Sequence, residues 1–95
     1  MRVVWTRQAS RELDAIGDYI RRQSPAAANR TVARIVHQIN MLAELPHIGR
    51  VGRVADTHEL VITNTPYIVP YRIRDNQVEV LSVIHTARRW PDSFD

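Results

Sequence analysis

Two apolar stripes with helical spacing, joined by a forced restart, constrain this chain more than any other feature. Ala9, Leu13, Ile16 and Ile20 recur at three- and four-residue steps, which puts them on one face of a helix over residues 7–22. Arg11, Glu12, Asp14, Asp18, Arg21 and Arg22 take the other positions, and Thr6 stands where an N-cap is needed. Ser24-Pro25 then begins a second helix. The serine caps, and proline at the first helical position sacrifices an N–H that has no intrahelical partner. Ala28, Val32, Ile35, Ile39 and Leu42 form the second stripe, and Pro46 ends it. Two amphipathic helices with so tight a joint fold as an antiparallel hairpin. Neither stripe can stay wet, so both must face a sheet or a partner.

The rest of the chain supplies the sheet. Residues 2–5 read as a short strand, and 60–62 as another. Asn64-Thr65-Pro66 is a turn. Tyr67, Val69, Tyr71 and Ile73 alternate with Ile68, Pro70, Arg72 and Arg74, Asp75-Asn76 signals a hairpin, and residues 78–85 form the strongest strand. Pro70 cannot donate to a ladder, so its strand is expected to be an edge or to be bulged there. The expectation is an α+β fold: an N-terminal strand, an antiparallel helical hairpin, then a three-strand antiparallel meander. At 95 residues the chain can bury one core, so residues 1–95 are expected to form one domain.

Composition narrows the chemistry. All thirteen basic residues are arginine, against ten acidic ones, and the formal charge is +3. Guanidinium holds carboxylate and phosphate with a rigid fork of donors, so the excess suggests an acidic protein segment or a nucleic acid as partner. There is no cysteine, which excludes disulfides and thiol chemistry. The start of the chain has no apolar signal-peptide core, and no run approaches membrane-spanning length, so a cytoplasmic protein is expected. His37, His47, His58 and His85 lack any paired spacing, so no metal or other cofactor is expected. Gly49-Arg50-Val51-Gly52 lacks the pattern of a nucleotide-phosphate loop, and no Ser sits in a nucleophile motif.

Three constellations remain. The end of the last strand carries His85, Arg88, Arg89 and Trp90: a proton carrier, two anion-holding groups and a stacking face. The bland alternative is a fraying terminus whose tryptophan covers the edge of the core. Arg72 and Arg74 share one face of the strand that hairpins into the His85 strand, so their side chains are expected to converge with it, unless they merely pair with Glu79 across the hairpin. Arg50 and Arg53 follow the two glycines of the 46–57 loop and suit phosphate contact, or serve as solvated filler.

The order of elements, the 66–73 strand (Pro-Tyr-Ile-Val-Pro-Tyr-Arg-Ile), the Pro46-to-Arg50 loop and the Val-Ile-His-Thr-Ala-Arg-Arg-Trp-Pro ending at 83–91 resemble the RelE/ParE superfamily of bacterial toxins over nearly the whole chain. The resemblance implies the toxin of a type II toxin–antitoxin module, held in a hetero-oligomer by a cognate antitoxin encoded in the same operon. It also implies one of two targets. RelE-like members cut mRNA on the ribosome without a metal; ParE-like members block DNA gyrase. RelE-like nucleases carry basic residues where this chain has Glu59 and Val61, and an arginine where it has Ile68. Arg88 matches their arginine after the last strand, and His85 matches a histidine that some relatives use. Metal-free cleavage needs a base, an acid and cations for the phosphate, and Arg72, His85 and Arg88 are a reduced set with no second proton carrier. The departures favour the ParE-like branch, with Arg50, Arg53, Arg72, His85, Arg88, Arg89 and Trp90 as contacts for gyrase or the antitoxin.

Overall fold

The structure, a computed structural model, describes residues 1–94. Its elements run β1 (Arg2–Trp5), α1 (Arg7–Arg21), α2 (Pro25–Asn40), a 3-10 turn (Met41–Ala43), β2 (Arg50–Val51), β3 (His58–Val61), β4 (Tyr67–Arg74), β5 (Gln77–Val80) and β6 (Ile84–His85). Local chemistry starts both helices. The Thr6 hydroxyl accepts from Ala9 N–H, the Ser24 hydroxyl accepts from Ala27 N–H, and Pro25 opens α2. The β4–β5 turn is made by Asp75 and Asn76 at φ 53° and 59°, the left-handed pair that a tight hairpin demands.

The sheet is ordered β1-β5-β4-β3-β2, with β6 pairing β4 beyond the end of β5. The expected meander is its centre. Two additions complete it: β1 lies parallel to β5 on one edge, and part of the expected 46–57 loop forms β2 on the other. One face of the sheet packs the helices. Val78, Val80, Tyr67, Val69, Tyr71, Leu60 and Val83 join Ala9, Ile35, Ile39 and Leu42 in the core. Within the hairpin, α2 is the inner helix, with Ala28, Ile35 and Ile39 buried, whereas Leu13, Ile16 and Ile20 of α1 are only half-buried. Tyr71 anchors the chain leaving the helices: its hydroxyl donates to Pro46 C=O at 2.8 Å and accepts from Gly49 N–H at 2.9 Å. The loop lies so close that a Cβ on Gly49 would stand 2.5 Å from that oxygen.

The strongest predicted strand does not run unbroken. Tyr71 faces Val80, but Tyr67 faces His85, so four steps along β4 match five along its neighbour. The extra residue is a bulge at 81–83. Pro70 explains its place. The proline carbonyl accepts from Leu81 N–H at 2.9 Å, and in an antiparallel strand its missing N–H points the same way, towards the bulge. The strand carrying Pro70 is therefore central, and it is the neighbour that bulges. The Glu12 carboxylate, placed on the polar side of α1 by spacing alone, reaches into this irregular stretch. It accepts from the fully buried Ser82 hydroxyl at 2.6 Å and from Val83 N–H at 3.2 Å.

Candidate functional site: two faces of one sheet

The bulge decides where the chemistry goes. Side chains alternate along a strand, so one extra residue moves everything after it to the opposite face. An unbroken 78–85 strand would set His85 beside Glu79 and Arg72. Instead His85 pairs with Tyr67 on the helical side, its ring edge-on to the phenol at 5.5 Å. Arg72 stays on the open side, where its Nε donates to the Glu79 carboxylate at 2.6 Å. The expected convergence of Arg72 with His85 is thus corrected: the two stand on opposite faces. The cross-hairpin pairing with Glu79 is what the structure has, and Arg74 is exposed beside the turn.

His85, Arg88 and Arg89 do come together. With Ile16 and Tyr19 of α1, Arg22 at its C-cap, and Tyr67, they line a groove of about 630 Å³ between the helix and the end of the sheet. Its lining mixes apolar Ile16, Val83 and Ile84 with Gln8, the Glu12 carboxylate, Ser82 and three arginines. Burial pushes the Tyr67 phenol above its ordinary range, with the Tyr19 phenol adding to the effect. The His85 Nδ1 accepts from Ala87 N–H at 3.0 Å, and Arg88 N–H donates to His85 C=O at 2.9 Å. The imidazole therefore pins the turn that swings both arginines over the groove. Tyr19 is 61% exposed at the groove's mouth, a contact residue that helical spacing did not single out.

Trp90 parts from that group. Arg89 and Pro91 on either side of it line the groove, but its indole turns to Arg53, whose guanidinium carbon lies 3.7 Å from the ring centre. The indole Nε1 is buried without an acceptor. Arg53 is itself held by Glu59, 2% exposed, whose carboxylate accepts from Arg50 Nε and Nη2, and from Arg53 N, Nε and Nη2, at 2.8–3.2 Å. Burial opposes the charge on Glu59, yet the Arg53 and Arg50 hydrogen bonds win and keep its carboxyl below the usual range. Arg50 and Arg53 are thus committed to a buried carboxylate, not held free in a flexible loop. The register puts Val61, Ile68 and Pro70 on the same face as Glu59. Around Glu59 the nearest guanidinium groups both bond its carboxylate, and its neighbours on the strand face are aliphatic.

Among the described residues, no group of three or more His, Asp or Glu is placed to hold a metal, and no helix is long and apolar enough to cross a membrane. Comparison with known proteins is consistent with the fold and extends it. The family model for the ParE toxin of the type II toxin–antitoxin system parDE matches residues 3–90. Toxin Y4kP of Sinorhizobium fredii is 50% identical over 95% of this chain and 93% of its own length. Toxin RelE2 of Caulobacter vibrioides is 41% identical over 90% of this chain and 96% of its own. A chain of the solved chromosomal ParDE toxin–antitoxin system from P. aeruginosa superposes with a TM-score of 0.81 at 30% identity, over 90% of this chain and 95% of that one. On these matches the chain belongs to the ParE family of type II toxin–antitoxin toxins.

Proposed function

We propose that this toxin inhibits growth by binding DNA gyrase in the cytoplasm, and that a cognate antitoxin from the same operon silences it. The observation that carries the reading against a nuclease is the division of the charged residues. Ribonucleolytic cleavage needs a proton carrier and phosphate-holding cations around one atom. Arg72 lies across the sheet from His85, and Arg50 and Arg53 are tied to Glu59. What remains is a groove and a sheet surface, both suited to protein contact. For the antitoxin, the α1–His85 groove fits an acidic segment with apolar anchors: Ile16 and Tyr67 line it, and Arg22, Arg88 and Arg89 supply the cations. The half-covered stripe of α1 extends the same surface.

A gyrase supercoiling assay is the direct test. Purified toxin should block supercoiling, and adding the antitoxin should restore it. Unimpaired gyrase at large toxin excess sinks the proposal. The alternative, ribosome-dependent mRNA cleavage, draws on His85 and Arg88 sharing the groove. It predicts new mRNA ends after toxin induction that vanish in the His85→Ala, Arg88→Ala variant.

A further inference from the structure

The groove between α1 and the end of the sheet is charged unevenly along its length. Three contacts show how the chain after β5 runs past α1. The Thr6 hydroxyl donates to Leu81 C=O at 3.2 Å, and Glu12 accepts from Ser82 and Val83. Further on, Tyr19 lies close enough to raise the Tyr67 phenol, and Tyr67 pairs with His85. Residues 81–85 therefore advance from the N-terminal end of α1 towards its C-terminal end. The charged lining follows the same order. Glu12 is the one carboxylate of the described lining, and it stands with Gln8 and Ser82 at the first end. Arg22 at the α1 C-cap, and Arg88 and Arg89 just beyond His85, belong to the other end. Between them Ala15, Ile16 and Val83 are small or apolar.

The Glu12 carboxylate is only half used. Its Oε1 takes both internal bonds, and among the described residues its Oε2 accepts nothing and no cation pairs with it. An occupant that shuts water out of the groove leaves that oxygen unpaired unless it brings a donor, and burying an unpaired carboxylate is costly. An acidic side chain at the same place meets like charge. At the other end the preference reverses, since three guanidinium groups favour carboxylates. We infer that the groove reads charge order: it selects an antitoxin segment with a Lys or Arg at the Glu12 end, an apolar residue beside Ala15, and Asp or Glu at the Arg22 end. Glu12 is then the specificity-determining residue that fixes which way round the segment lies. Glu12 to Arg22 spans roughly 15 Å, at about 1.5 Å per helical residue. The partner's cation and its acidic residues should thus stand about ten residues apart on a helix, or about four to five in extended chain. The inference rests on the reading of this groove as the antitoxin's site.

Calorimetric titration of purified toxin with the purified antitoxin of its operon tests both. Glu12→Gln keeps an acceptor for Ser82 and Val83 but removes the charge, and should raise Kd several-fold. In double-mutant cycles that loss should disappear once one particular Lys or Arg of the antitoxin is replaced by Ala, because the pair is then already broken. Arg22→Gln should couple in the same way to an Asp or Glu, roughly 15 Å away along the segment. A contact that served only the toxin's own bulge would weaken binding equally against every antitoxin variant, so the coupling separates recognition from register. Unchanged or tighter binding by Glu12→Gln overturns the charge order, as does coupling of Glu12 to no basic residue. Ala15→Trp, at an exposed position of α1, fills the groove and should weaken binding more than either charge variant. If Ala15→Trp and Arg22→Gln both bind as wild type does, the antitoxin does not use the groove, and the reading beneath the inference fails. If both weaken binding while Glu12→Gln does not, the groove stands as the antitoxin's site and only its charge order falls.

Discussion

The two faces of the sheet solve opposite problems. The helical face buries Ile35, Ile39, Leu42, Val69, Tyr71 and Val80 in one apolar core, and needs no charge to do it. The open face buries a carboxylate under two arginines, closes Arg72 on Glu79, and sets the Trp90 indole against Arg53. Stability should thus reside on the first face and adaptability on the second. Burial on the helical face is non-directional and strong in total. The open face depends on directional contacts that a partner can exchange for its own.

The sharpest way to break that division is to damage each face in turn. Ile39→Ala empties a fully buried site between α2 and the sheet, and should destabilise by about 2–5 kcal/mol in urea unfolding. Glu59→Gln should cost about 2 kcal/mol, because the hydrogen bonds it loses are charge-assisted but its arginine partners can still reach water. The two differ in pH dependence. The folded pKa of Glu59 lies below the reference value of 4.5, so its contribution is complete above that value and disappears as pH falls through the folded one. Wild-type stability should fall between neutral pH and roughly pH 3 by more than that of Glu59→Gln, and Ile39→Ala should keep the wild-type slope. Equal slopes in wild type and Glu59→Gln would remove Glu59 as the charge on which the open face depends.

The sequence made legible what depends on neighbours in the chain. Thr6, Ser24-Pro25 and Asp75-Asn76 act within a few residues, and each marks the boundary its chemistry implies. The α2 stripe is apolar at every position the core needs. The site was less legible because its geometry hangs on one unpaired residue. Residues 78–85 read as a continuous apolar strand, and nothing local separates a bulged run from a regular one. The cause lies a strand away, at Pro70, whose awkwardness was visible but whose consequence fell on its neighbour. The same distance hid the partners of Arg50 and Arg53. Glu59 looked like a missing cation, whereas it is the anion that organises that loop.

Glu12 tests how tightly the bulge is set. Its carboxylate bridges α1 to Ser82 and Val83, and so helps to hold the register that turns His85 towards the groove. Glu12→Gln keeps one acceptor and the side-chain shape, so the expected loss is about 1 kcal/mol. The informative readout is local. Hydrogen exchange at 81–85 should quicken while the β3–β4 pairing is unchanged. Uniform loosening of the whole sheet would make Glu12 an ordinary stability contact.

The smallest expected effect carries the most information about the site. Arg72 and His85 share no partner and stand on opposite faces, one closed on Glu79 and the other on the Ala87 turn. Arg72→Met and His85→Ala should therefore be independent in unfolding free energy, with a coupling below about 0.5 kcal/mol in a double-mutant cycle. Had the strand run without its bulge, the two side chains would be neighbours, and a coupling of about 1 kcal/mol or more would be expected from a shared charged contact. A large coupling would place His85 back beside Arg72, add that arginine to the cations around the histidine, and return the nuclease reading to first place. A negligible one leaves the histidine to the groove and the arginine to the open face.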